Sequence, residues 1–160
     1  MVDPDDRSAE LVDAERQRLR QFFQDFPFFR LMGFELVDIE PGRARLAMSW
    51  RDDLCQPAGI MHGGAIASLV DTAIANSILL TSRYLEARAR GALIVSVDLR
   101  IKYLRPVSAG RIVCDARVTR SGRQIIHTAA TVVDGDGNEV ATGDSIYMIV
   151  AGERLKKKST

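Results

Sequence analysis

Asp71 is the one formally charged side chain at pH 7 between Asp53 and Arg83. Shortly before it stand His62, Gly63 and Gly64, a glycine pair that opens a long apolar stretch. Carboxylates are seldom left in apolar surroundings without a partner or a task, and a positioned one can serve as a base or a nucleophile. The first backbone N–H groups of a helix lack internal acceptors and carry a partial positive charge. Glycines at that point let a ligand approach the backbone closely. Such a nest suits the oxyanion that develops during acyl transfer, where each donor can be worth roughly 3 kcal/mol. Residues 54–82 therefore hold both halves of a hydrolytic site, an oxygen holder and an anionic activator.

The two halves are far apart on one helix. Asp71 lies roughly 10 Å beyond Gly64 along the axis, at about 1.5 Å per residue, too far for one carbonyl to meet both. A second copy could bring its Asp71 to the glycines of the first. The expected assembly is a C2 homodimer with two shared sites.

The elements that must position these residues follow from periodicity. Residues 7–26 read as a helix, with Leu19, Phe22, Phe23 and Phe26 at helical spacing and Pro27 as the stop. Residues 33–50 read as a hairpin turning at Pro41-Gly42, with Ala44, Leu46, Met48 and Trp50 alternating along its second strand. Residues 51–61 are irregular, broken by Pro57 and Gly59. From about Gly64 a helix carries the stripe Ile66, Leu69, Val70, Ala73, Ile74, Ser77 and Ile78. Asp71 stands at its border, stacked with Ala67, Ala75 and Ile78. A polar connector is expected over residues 82–91. Four strands follow, over 95–103, 111–119, 124–133 and 139–150. In the first, Val95, Val97, Leu99, Ile101 and Tyr103 alternate with polar residues. Ser121-Gly122 and the run 134–138 supply turns. The predicted class is α+β: an antiparallel sheet wrapped around one long central helix, with an extra N-terminal helix. The expected divisions are a helical extension over 1–30, a main domain over 31–151, and a flexible basic tail over 152–160.

Composition excludes several classes. The chain has 160 residues, 46% apolar and 27% charged, which is ordinary for a single folded domain. A net charge of +1 offers no field for nucleic acid or an anionic membrane. Cys55 and Cys114 fit no metal spacing or disulfide framework, so a reducing, cytoplasmic setting is expected with no metal or cofactor. The acidic N-terminus lacks the order of a signal peptide. The apolar run 64–81 carries Asp71 and Asn76 near its middle, and a central Asp costs roughly 3 kcal/mol on membrane insertion. A buried helix is the better reading.

The run Gly59-x-x-His62-Gly63-Gly64 with Leu69-Val70-Asp71 resembles the hot-dog-fold acyl-CoA thioesterases of the PaaI-like group. So do Ser96-Val97-Asp98, Tyr103-Leu104-Arg105-Pro106, Asp136-Gly137 and Ala141-x-Gly143, over roughly residues 33–150. The resemblance implies a catalytic role for Asp71, which activates water or attacks the thioester. It makes the Gly63 N–H the oxyanion donor, and gives Gln56 the orienting of carbonyl or water. Many relatives have Asn at the Gln56 position. Ser96 matches a Ser or Thr of the facing subunit that supports the water. His62 matches an organiser of the loop, not a general base. Gly64 belongs to the same substrate-binding nest. For the coenzyme A phosphates, Arg105, Arg120, Arg123 and Lys102 are candidates. The family often forms dimers of dimers.

Competing readings remain. A hydratase or dehydratase on this fold would pair a histidine with the carboxylate, and none lies along this helix. A non-catalytic acyl-CoA-binding module would have no need of Asp71. His127 reads as a structural strand histidine. Cys55 has no neighbouring base to activate it. The run 134–138 is too short and its glycines misplaced for a calcium loop.

Overall fold

The computed structural model describes residues 4–152, so all but the first residue of the expected basic tail lies outside the described residues. Helix α1 spans Pro4–Asp25 and α2 spans Pro27–Met32. Pro27 ends the first helix as expected but also begins the second, because proline at a first helical position gives up only an N–H that would be unpaired anyway. Gly33 closes α2 in the left-handed region at φ 68°. Leu19 and Phe23 are buried where α1 packs on the sheet, and the Arg16 guanidinium donates to the Ile39 carbonyl at 3.0 Å.

Strands β1 (Phe34–Glu40) and β2 (Arg43–Ser49) form the predicted hairpin, with Gly42 at φ 83° in its turn. Ala44, Leu46 and Met48 are all buried on the inner face, whereas Trp50 falls just beyond the strand and is half-buried. Helix α3 spans Gly63–Leu79, and every member of its predicted stripe is buried.

The expected polar connector is instead a helix, α4, Ser82–Ala89. Leu, Glu, Ala and Arg there are good helix formers. Tyr84 anchors the helix in the core at 5% exposure, and Arg88 pairs with Glu15 of α1. Burial works to raise the Glu15 carboxyl, but hydrogen bonds from Arg18 and Arg88 outweigh it and hold it below the ordinary value.

Strands β3 (Ala92–Tyr103), β4 (Arg111–Ser121), β5 (Ile125–Val133) and β6 (Glu139–Ala151) complete one antiparallel sheet in the order β1-β2-β4-β5-β6-β3. The sheet wraps α3, whose buried side chains meet Leu46, Met48, Ile112, Cys114, Ile126 and Val132 in one core. This is the α+β hot-dog architecture expected from the sequence. The β5–β6 turn is closed by the Asp134 carboxylate, which accepts from the backbone N–H groups of Asp136 and Asn138, the hairpin geometry preferred over a calcium loop. No single helix among the described residues is long and apolar enough to cross a membrane.

The regular alternation predicted for β3 is broken. Ser96 pairs with Tyr147 and Asp98 with Ile146, so Val97 is an extra residue in a β-bulge. A bulge reverses which alternate residues face inward. Leu99, Ile101 and Tyr103 keep the helix side, Val95 turns to the outer face with Met148, and Ser96 turns inward beside Tyr147.

Candidate active site

The sequence-predicted residues gather in two places. The first is the N-terminus of α3. His62 is its N-cap, and the His62 Nδ1 accepts the Gly64 N–H at 2.9 Å. His62 therefore holds the loop to the helix. Ala65 and Ile66 donate to the His62 carbonyl. That leaves the Gly63 N–H, at the first helical position, with no acceptor among the described residues. The ring of Tyr103 covers the same glycine, its hydroxyl donating to the Gly63 carbonyl at 3.0 Å. A Cβ on Gly63 would meet that ring at 3.1 Å, and one on Gly64 would meet His62 Nδ1 at 2.9 Å. A side chain at either glycine would therefore push on Tyr103 or on the capping His62.

The preceding loop is pinned to the body. Met61 N–H donates to the Val107 carbonyl at 2.8 Å and His62 N–H to the Leu54 carbonyl at 2.8 Å. Gln56 opens a tight turn in which Gly59, at φ 76°, donates back to the Gln56 carbonyl. A cavity of about 410 Å³ lies in front of the helix end, with Gln56, Gly63, Ile66, Tyr103 and Arg105 among its walls. Three predicted site residues, Gln56, Gly63 and Arg105, thus share one cavity.

Asp71 is elsewhere. It is half-buried, two turns further along α3. Its Oδ1 accepts a hydrogen bond from the Tyr147 hydroxyl of β6 at 2.7 Å, and its Oδ2 takes none among the described residues. Ser96 lies opposite Tyr147 on the neighbouring strand β3, and its Oγ is 3.5 Å from Ser145 Oγ. Burial, reinforced by Asp71, pushes the Tyr147 phenol far above its ordinary value, so it stays protonated as a donor. Tyr147 was not among the sequence candidates. A signal existed: a tyrosine on the inward side of a strand needs an acceptor for its hydroxyl, and Asp71 is the lone carboxylate of the helix that this strand faces.

The cationic candidates also divide. Arg105 follows β3 at the Tyr103–Ala141 end of the sheet, beside Gly63. Arg120 pairs with His127, and Arg123 sits in the β4–β5 turn, next to the row that carries Ile126, Tyr147 and Ser96. The Ala141 and Tyr147 rows are about 20 Å apart along β6, at roughly 3.3 Å per residue. Arg105, Arg120 and Arg123 make no ion pair among the described residues, whereas Arg43, Arg100 and Arg111 are engaged by Asp115, Asp144 and Glu35. Lys102 pairs with Thr142 on the outer face, away from the cavity.

Neither cysteine suits nucleophilic work. Burial and the nearby Asp52 and Asp53 raise the Cys55 thiol, and burial pushes that of Cys114 up to about 12. Both disfavour the thiolate.

Comparison with known proteins decides the family. Residues 58–141, the stretch from the turn before α3 to the start of β6, match the thioesterase superfamily. The chain belongs to the thioesterase superfamily. Among this superfamily member's relatives, human acyl-coenzyme A thioesterase 13 is 32% identical over 136 residues, covering 83% of this chain and 92% of that protein. The medium/long-chain acyl-CoA thioesterase YigI of Salmonella typhimurium is 28% identical over 153 residues, covering 89% and 99%. A solved thioesterase family protein from Silicibacter pomeroyi superposes with a TM-score of 0.73 at 25% identity, covering 85% of this chain and 98% of that one. Membership of the superfamily brings thioester hydrolysis as the general chemistry.

Proposed function

We propose that the protein is an acyl-CoA thioesterase, hydrolysing the thioester to a free acid and coenzyme A. The observation that carries this reading is the acceptor-less Gly63 N–H, held at a helix N-terminus and facing a cavity that Gln56 and Arg105 also line. The thioester oxygen accepts from Gly63, and Gln56 orients the carbonyl or the water. Asp71 acts as base on water or as nucleophile on the carbonyl carbon, and the coenzyme A thiolate departs. Arg105, Arg120 and Arg123 are the cations available to the coenzyme's phosphates. The acyl-CoA thioesterases among the relatives support this substrate class.

The site is completed by a second copy. β3 is an edge strand of 12 residues with β6 as its single partner. It exposes Leu93, Val97 and Tyr103 at 45%, 53% and 53%. Long apolar edges are rarely left open. Antiparallel pairing of two β3 strands about a two-fold axis between Leu99 and Arg100 would set Tyr103 of one chain against Ser96 of the other. Gln56, Gly63 and Arg105 would then face the partner copy's carboxylate, and the separation of Gly63 from Asp71 within one chain ceases to be an obstacle. Two such dimers could associate further.

The reading is tested by thiol release from a panel of short, medium, long and aromatic acyl-CoAs, with an enoyl-CoA alongside. Hydrolysis of at least one acyl-CoA with a kcat/KM of about 10⁴ M⁻¹s⁻¹ or more is expected. Hydration of the enoyl-CoA without thiol release would instead favour the hydratase reading. Tight acyl-CoA binding with no turnover would favour a binding module.

A further inference from the structure

Tyr147 is 4% exposed and lies on the helix-facing side of β6. Its ring packs in the core that holds α3, paired with Ile126 on one flank and Ser96 on the other. Phenylalanine would fill the same space if packing alone mattered; the Tyr147 hydroxyl instead donates to Asp71 Oδ1 at 2.7 Å. The same hydroxyl lies 3.4 Å from the Asp71 backbone carbonyl. No ion pair among the described residues involves Asp71, so this phenol is the group that fixes the carboxylate's rotation. With Oδ1 held, Oδ2 is the oxygen left to meet water or the thioester carbon.

We propose that Tyr147 is a positioning residue, which locks the Asp71 carboxylate through Oδ1 so that Oδ2 faces the reacting centre. The proposal rests on the thioesterase reading and on Asp71 as its activating group. Two features make it specific to this arrangement. The bulge at Val97 turns Ser96 inward beside Tyr147. The inner location of Tyr147 also keeps its hydroxyl away from bulk water, so the bond to Asp71 is not exchanged for a solvent contact.

The test is a double-mutant cycle on the acyl-CoA that the parent hydrolyses best. Tyr147→Phe keeps the ring and removes the hydroxyl. It is expected to lower kcat about tenfold with KM within twofold of the parent. In an Asp71→Asn background, adding Tyr147→Phe is expected to change the residual kcat by less than twofold, because the residue acts through the carboxylate. Thermal melting of each variant checks that the fold is kept. A Tyr147→Phe protein with parental kcat, or losses that multiply in the double variant, would overturn the proposal while leaving the thioesterase reading intact. An Asp71→Asn protein with parental activity would overturn that reading itself, and is distinguishable because it is a single-variant result.

Discussion

Asp71→Asn is expected to lower kcat by about a thousandfold, the middle of the roughly 10²–10⁴-fold range for general acid–base catalysis, while KM changes little. Asparagine keeps the size of the side chain and an oxygen that can still accept from Tyr147, so the fold and the acyl-CoA contacts are preserved. What is lost is the negative charge at Oδ2. The melting temperature should stay at or above that of the parent, since removing a half-buried charge from an apolar helix costs the fold nothing. Steady-state thiol release and a melting curve on the same preparation check both halves of the expectation. Single-turnover hydrolysis in ¹⁸O-labelled water then separates the two chemistries. Label appearing in the Asp71 carboxylate marks a covalent anhydride opened at the enzyme's carboxyl carbon; label confined to the released acid fits a base or an anhydride opened at its acyl carbon, and trapping the anhydride with hydroxylamine tells these two apart.

The second large effect belongs to a backbone group. Gly63→Pro deletes the N–H that faces the cavity and should cost about 10² to 10³ in kcat. Proline is well suited to this position: it is the first helical residue, where the N–H makes no intrahelical bond. The preceding His62 sits at φ −64°, ψ 136°, the extended conformation that a following proline prefers. The added ring atoms must displace the Tyr103 ring, which a Cβ would already meet at 3.1 Å. Gly63→Ala carries the same Cβ but keeps the N–H, so it measures the steric part alone. The expected order is parent, then Ala with a loss of a few-fold, then Pro far below. Equal losses in Ala and Pro would remove Gly63 from the chemistry and assign it to packing.

Much of this molecule was legible in its sequence, for reasons that are local. The stripe from Ile66 to Ile78 has the period of a helix and no competing pattern, so α3 and its burial followed directly. Pro41-Gly42 and the Asp134 turn carry their own geometry in their residue types. The misses depend on distant partners. Helix α4 reads as a polar connector until Tyr84 is seen in the core and Arg88 against Glu15 of α1. The bulge at Val97 leaves no mark on composition, since it is set by the register of β3 on β6, yet it decides that Ser96 faces the phenol. Tyr147 lies 76 positions from Asp71, and only the folding of β6 across α3 joins them. On the site itself, the residue types around Gly63 and Asp71 pointed to acyl transfer and helix geometry already set the two apart, while the strand residues beside each, Tyr103 and Tyr147, required the structure.

That division makes one measurement decisive. The Asp71→Asn and Gly63→Pro proteins are each expected to be nearly inactive. Dissociated, mixed in equal amounts and reassembled, random pairing makes about half of the dimers mixed, and each mixed dimer holds one site with both groups intact, so about a quarter of the parent activity should return. Size-exclusion chromatography on differently tagged chains verifies that mixed dimers formed. Recovery near that level is the predicted result. Mixed dimers that form and remain as inactive as their parents would contradict a site shared between two chains.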